Sequence, residues 1–289
     1  MEEEKIENVI IFGASGFVGS MIFEHLKEAN TYEVFGYSSK DCDLLNPSHV
    51  AKALSIGTPK TSVVICSVIP PSIEDSWEVM LKNITMIHNV ILSIPNNGLR
   101  SIILLSSIDI YGSIFPVTPI REDTVPRPDG FYGLSKLVCE HVLRFSKKID
   151  FPVTCLRLPG IYGNGDGGRS IVGKFIQKLT KGEDIEIFGD GKVKRDYVEV
   201  GDLCAVVEQF IEKPYNGSIN VATGKSVAII DMVSVIADII GTNASIKYSD
   251  KENKNNADIV LDTSLLKSLC PTLEFKSLEE GIRCYWGKN

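Results

Sequence analysis

Tyr132 and Lys136, in the stretch FYGLSK, stand four residues apart. On an α-helix that spacing puts two side chains on one face. A tyrosine beside an ammonium can exchange protons: a free phenol titrates near 10, and a neighbouring positive charge favours the phenolate. The spacing is cheap evidence by itself, because chance supplies roughly 0.7 such pairs in a chain of this composition, and a solvated helix face would produce it too. No other tyrosine in the chain has a lysine four residues on.

A second constellation precedes it. The run NVIIFG (8–13) ends in Gly13-Ala-Ser15-Gly16-Phe17-Val18-Gly19. Glycines between a strand and a helix permit a sharp turn, let backbone approach a pyrophosphate, and pack the helix onto the strand. The helix N-terminus then offers N–H groups and a positive dipole end to phosphates. The next strand runs out as Gly36-Tyr37-Ser38-Ser39-Lys40, with no acid before Asp41. An acid at that edge accepts hydrogen bonds from an adenosine ribose and repels a 2′-phosphate. Two hydroxyls and a cation suit the phosphate, which favours NADP(H) over NAD(H) while leaving NAD(H) possible.

These residues need elements to hold them. Short β-branched runs at 8–13, 32–37, 62–68, 101–107 and 152–158 alternate with segments of helical spacing. That rhythm predicts an α/β fold: a Rossmann-type doubly wound parallel sheet covered on both faces. After Gly160 the rhythm becomes irregular, which predicts a smaller mixed α/β domain, and KENKNN (251–256) reads as an exposed loop. Hydrophobic content of 44% with 23% charged residues is ordinary for a globular enzyme. The net charge of −7 argues against a nucleic-acid binder. No run is long enough to span a membrane, and MEEEKIENV carries no apolar signal region. The seven cysteines show no CxxC pair and no metal-like clustering, so a reduced, cytoplasmic setting without metal is expected. The four histidines are scattered, Asp202 is expected to cap a helix, and Arg169 reads as a surface residue.

At SSIDIYG (106–112), ending the fourth strand, the sequence becomes recognisable. With GASGFVG, YGLSK, LRLPGIYGNG, IFGDGKVKRDYVEVGDL and SLEEGIRCYW, it resembles the extended short-chain dehydrogenase/reductases, specifically the nucleotide-sugar epimerase/dehydratase/reductase group. The resemblance implies Ser107 as the catalytic hydroxyl, Tyr132 as acid/base, and Lys136 as its helper and a ligand of the nicotinamide ribose. It sets Asp43 and Leu44 beside the adenine, and Cys66, Ser67 and Val68 along the cofactor, with Pro159 also in contact. Asn83 falls at an active-site asparagine, with a solvated helix residue as the alternative. Arg195 matches the arginine that grips the substrate diphosphate, and Phe188 lies on the base-binding segment. On this reading residues 1–160, with about 200–223, form the dinucleotide-binding domain. Residues 161–199 and 224–289 form the nucleotide-sugar-binding domain.

The group's chemistries divide by small differences. Dehydratases carry an Asp-Glu pair after the hydroxyl, whereas here Ile108 and Asp109 follow, and Ile108 cannot transfer a proton. Asp109 is either a proton-transfer group or a local hydrogen-bonding residue. The unacidic GYSSK resembles the NADPH-dependent 4-ketoreductases, which act on nucleotide-linked 4-keto-6-deoxyhexoses. An NAD-retaining 4-epimerase is the alternative, followed by a dehydratase and a non-catalytic dinucleotide sensor. Gly160 replaces an asparagine that relatives place after the fifth strand, which leaves a GDP-, dTDP-, UDP- or CDP-linked substrate open. The resemblance further implies a homodimer through four-helix packing.

Overall fold

The computed structural model describes residues 6–113, 118–243, 245–249 and 257–287; the 251–256 stretch lies outside them. In chain order the first elements are β1 (Asn8–Phe12), α1 (Phe17–Ala29), β2 (Glu33–Tyr37) and α2 (Pro47–Leu54). Then come β3 (Thr61–Ile65), α3 (Trp77–Leu92), β4 (Ser101–Ser107), α4 (Phe131–Phe145) and β5 (Val153–Leu158). Shorter pieces follow: β6 (Gly160–Tyr162), α5 (Ile171–Thr180), β7 (Ile185–Phe188), β8 (Lys194–Arg195), β9 (Tyr197–Glu199) and α6 (Val200–Glu212). The last are β10 (Gly217–Asn220), β11 (Val227–Ala228), α7 (Ile229–Ile240), β12 (Ile246–Ser249), α8 (Ser264–Leu269) and α9 (Leu278–Trp286).

The chain forms two compact units. One comprises Met1–Gly112, Val125–Arg157 and Cys204–Ile219. Its sheet has the order β10-β5-β4-β3-β1-β2, and β1 runs parallel to both β2 and β3, in register Phe12↔Tyr37 and Phe12↔Ile65. The strands are apolar on both faces because helices cover both: Val9–Ile11, Val63–Ile65 and Ile102–Ile103 have no accessible surface. Each such side chain contributes about 1.5–3 kcal/mol on burial, and this layer is what holds the strand ends still. The chain leaves β1 for β2 on one side and returns to β3 on the other. That reversal opens a crevice beyond the carboxyl ends of β1 and β3, the place where open α/β sheets bind ligands.

The other unit comprises Ser113–Thr124, Leu158–Leu203 and the chain from Asn220. Ile120 belongs with it because it bridges Leu261, and Glu122 accepts the Asn220 N–H. Here β6 pairs with β9, β7 with β12, and β8 with β11. Helices α5, α7 and α9 close over a core that includes Phe175, Met232, Ile236 and Ile282.

Candidate active site

The crevice of the first unit begins at Gly13. Its φ of +88° is left-handed, and a Cβ there would lie 2.8 Å from the Ser67 nitrogen, so only glycine fits. A Cβ on Gly19 would come 2.1 Å from the Gly13 carbonyl, which is how closely α1 sits on the turn. Gly16 caps α1 with no side-chain hydrogen bond, and the first turn of the helix contains no acid. Its N–H groups and dipole therefore face the crevice without a competing carboxylate. Gly13, Ser15, Gly16, Ser39, Asp43, Leu44, Cys66, Ser67 and Val68 line a cleft of about 310 Å³ there. Phe17 and Val18 are half-buried in the first turn of α1. An uncapped helix start over a glycine cradle fits the diphosphate of a dinucleotide.

The β2 edge holds a feature that its residue types hide. The Asp41 carboxylate turns back to accept from the Ser38 Oγ (2.5 Å) and the Ser38 N–H (3.2 Å). Those hydrogen bonds hold its pKa below the usual carboxylate value. An acid thus stands beside Ser38 after all, while Tyr37 packs its ring 5.9 Å from Phe12. Asn83 is 4% exposed, which removes the solvated-helix alternative. Its amide accepts the Ile69 N–H at 2.9 Å and donates to the Ile69 carbonyl at 3.1 Å, pinning the wall that follows Val68.

Across the sheet, β4 delivers Ser107, 7% exposed, into a single 3₁₀ turn at Ile108–Tyr111. The Ser107 Oγ accepts the Asp109 N–H at 3.1 Å. Helix α4 lies so close to this turn that a Cβ on Gly133 would come 2.4 Å from the Asp109 carbonyl. That contact sets Tyr132 beside Ser107 and Asp109. Gly130 provides no cap for α4, and Asp75 supplies one by accepting the Tyr132 N–H at 2.7 Å.

Lys136 is buried, with its Nζ 5.8 Å from the Tyr132 ring centre and donating to the Leu105 carbonyl at 2.6 Å. Burial lowers its pKa, against the pull of Cys139, Cys66, Glu140 and Asp109. The expected lowering of the Tyr132 pKa is not what this geometry produces. Burial and then the Asp109 charge raise it, and only a Ser107 hydrogen bond opposes them. Asp109 itself is raised by desolvation, with Asp129 and Asp75 adding and Ser107 and Lys136 opposing. Burial pushes the Cys66 thiol up to about 12, so it is a wall and not a nucleophile.

Beneath these residues lies a pair that spacing could not reveal. Glu140 is 0% and Arg157 4% exposed, and they are bonded at 2.9 and 3.1 Å. Ser106 and Ser218 donate to the same carboxylate, and Arg157 donates to the Tyr111 hydroxyl. Burial works against the Glu140 charge, but Arg157 and the two serines outweigh it and hold its carboxyl below the usual range.

In the second unit, Arg195 ends β8 half-buried, its Nη1 donating to the Ala257 and Lys194 carbonyls at 2.7 and 2.8 Å. Phe188 is exposed at the end of β7, and Pro159 lies between β5 and β6. A Cβ at Gly160 would meet the Tyr197 ring at 3.0 Å, so an asparagine there would require the ring to shift by a few tenths of an ångström. Asp202 does not cap a helix end; it accepts the Lys276 N–H at 2.8 Å and pairs with its ammonium at 2.5 Å. Arg169 is exposed. Among the described residues no group of three His, Cys, Asp or Glu could hold a metal, and no helix is long and apolar enough to cross a membrane.

Among known families, the NAD dependent epimerase/dehydratase family matches residues 9–222. A GDP-L-colitose synthase of Yersinia pseudotuberculosis is 25% identical over 281 residues, 89% of this chain and 90% of its own. A dTDP-4-dehydro-6-deoxy-D-allose reductase of a Streptomyces species is 26% identical over 313 residues, 96% of this chain and 95% of its own. The crystal structure of the Thermotoga maritima UDP-glucose 4-epimerase with UDP-glucose superimposes with a TM-score of 0.87, covering 97% of this chain and 99% of that one. Its identity is 24%, and the likeness is one of fold.

Proposed function

Because the chain belongs to the NAD dependent epimerase/dehydratase family, we propose that it reduces a nucleotide-linked 4-keto-6-deoxyhexose to the 4-hydroxy sugar. The observation that carries this reading is the placement of a buried Ser107 hydroxyl at the end of β4 and of Tyr132, with the Lys136 Nζ 5.8 Å from its ring centre, in the unit whose strand ends form the glycine-lined cleft. NADPH, when bound, would supply the hydride. Ser107 would donate a hydrogen bond to the keto oxygen and stabilise its growing negative charge. Tyr132 would give that oxygen its proton, and buried Lys136 would counter the phenolate left behind. Gly13, Ser15, Gly16 and the α1 N-terminus would hold the diphosphate, with Tyr37, Ser38 and Ser39 toward the adenosine ribose. Arg195 and Phe188 would take the substrate's diphosphate and base. The two relatives named for GDP- and dTDP-linked sugars support this substrate class.

One observation favours a second reading, an NAD-retaining 4-epimerase: the Asp41 carboxylate at Ser38 is an acid at the β2 edge. Mass spectrometry of cofactor carried through purification separates the two. The reductase is expected to release NADP and to consume NADPH with a panel of GDP-, dTDP-, UDP- and CDP-linked 4-keto-6-deoxyhexoses. Firmly retained NAD, with no NADPH consumption, would select the epimerase. A homodimer in the cytosol completes the proposal. The helices α3 and α4 leave Trp77, Leu81, Leu92 and Phe145 exposed, an apolar face suited to a second copy.

A further inference from the structure

We propose that Asp75 is a positioning residue of this site: it ties the helix start that carries Tyr132 to the wall of the glycine-lined cleft, so that a dinucleotide in the cleft steadies the phenol. The inference rests on the reading that Tyr132 gives its proton to a keto-sugar held against NADPH. Such a transfer is sensitive to placement, since a displacement of about 1 Å can cost a hundredfold in rate.

The start of α4 takes its cap from a distant part of the chain. Gly130 has extended backbone, φ −144° and ψ 162°, and no side chain to accept from the first-turn N–H groups. Asp75, 57 residues earlier, accepts the Tyr132 N–H on one carboxylate oxygen at 2.7 Å. Its other oxygen lies 2.9 Å from where a Gly130 Cβ would stand, and beyond the chain neighbours nothing but this carboxyl comes within 4 Å of that point. Any residue can adopt this φ, so the glycine is there to make room for the carboxylate. The negative charge also suits the positive end of the helix dipole.

Asp75 is in turn held by the cleft wall. Val68 and Ile69 line the cleft, and the Asn83 amide engages both the N–H and the carbonyl of Ile69, at 2.9 and 3.1 Å. The Pro70 carbonyl accepts the Ile73 N–H at 3.0 Å and the Glu74 N–H at 3.4 Å, which folds the next stretch back on itself. Ser76 then caps α3 by accepting the Val79 N–H at 3.3 Å, and Met86 on that helix lines the same cleft. Trp77 meets Phe131, the first residue of α4, edge to face at 6.5 Å. A dinucleotide resting on Val68 and Ile69 therefore braces the segment whose far end caps the Tyr132 helix. Asp75 itself is exposed, so replacing it opens no hole in the core.

Two measurements test this. The first needs no sugar: hydrogen–deuterium exchange of the Tyr132 amide, read with and without saturating NADPH, and again with NAD. In the wild type either cofactor is expected to slow the exchange. In Asp75→Ala exchange should be fast and indifferent to cofactor. Asp75→Ala/Gly130→Ser places a capping hydroxyl on α4 itself, in the space the carboxylate leaves. It is expected to restore Tm and slow the exchange, but not to restore the response to cofactor. No response in the wild type, or the same response in Asp75→Ala, would overturn the tie.

The second uses the keto-sugar panel with NADPH. Asp75→Ala is expected to lower kcat by about tenfold to a hundredfold with KM near the wild-type value. Asp75→Asn, which keeps an oxygen acceptor of the same reach, should restore most of it. The double variant should have the wild-type Tm and a kcat that stays low. If its kcat recovers together with its Tm, Asp75 is a helix cap and nothing more. If the wild type reduces no keto-sugar while cofactor still slows Tyr132 exchange only when Asp75 is present, the reductase reading fails and the tie stands.

Discussion

Two carboxylates on the first unit lie within one network of elements and behave in opposite ways. Glu140, on α4, has no accessible surface, yet its carboxyl is held below the usual range. Asp109, on the turn after β4, is exposed to solvent, yet its carboxyl is raised. Desolvation pushes both upward, and the difference lies in the partners that oppose it. Glu140 receives a forked guanidinium and two hydroxyls, which together exceed its desolvation penalty. For Asp109, desolvation and the nearby Asp129 and Asp75 outweigh Ser107 and Lys136. A fully partnered buried charge is a strut with one stable protonation state. An under-partnered charge in a cleft can change state, which is what proton chemistry requires.

Mutations can break the comparison, beginning where the effect is largest. Tyr132→Phe removes the proposed proton donor, so reduction should fall by about 10²–10⁴-fold with the fold intact. Unchanged turnover would take Tyr132 out of the chemistry. Glu140→Ala strands the Arg157 charge in the interior and should cost about 3–5 kcal/mol of stability, read from urea unfolding. A loss under about 1 kcal/mol, the value of an exposed pair, would mean that the network does not hold α4 to β5. Because the Glu140 pKa is lowered, its contribution is present above the ordinary glutamate value and is lost as pH falls through the lowered one.

The opposite sign applies to Asp109. Folding raises its pKa, so ionising it works against the folded state. The penalty is absent below the ordinary aspartate value and develops as pH rises through the raised one. Asp109→Asn should therefore raise Tm modestly at pH 7 and leave it unchanged in strong acid. A lower Tm at pH 7 would show that Asp109 is a structural partner like Glu140. The smallest effect is expected at fully exposed Asp41. Asp41→Asn frees Ser38 and removes a negative charge from the β2 edge, so NADPH should bind a few-fold more tightly, on the scale of an exposed ion pair, with little change for NADH. Equal changes for both would separate Asp41 from the 2′ position.

Which parts of this were legible in the sequence follows from how local each feature is. The alternating apolar runs dictate a doubly wound sheet, and the Gly13–Gly19 spacing is the geometry of its first turn. Tyr132 and Lys136 share a face because a helix has its period. Ser107 needed the resemblance, since a serine closing an apolar strand has no spacing of its own. The charge states were not legible. They depend on groups far apart in the chain: Asp75 capping the helix of Tyr132, Arg157 meeting Glu140, Ile69 engaging Asn83, and Lys276 taking Asp202 from the cap it was expected to form. Even Asp41, three residues from Ser38, could be placed only once the turn between them was seen.

The central claim is that the protonated Tyr132 site reduces a carbonyl. Its most direct test supplies NADPH deuterated at the transferable C4 position, together with the panel of nucleotide-linked 4-keto-6-deoxyhexoses, and reads the sugar by mass spectrometry. The account predicts a hydroxy-sugar product carrying one deuterium, formed in step with NADP release. A sugar of unchanged mass, with unlabelled cofactor still bound to the protein, would contradict it.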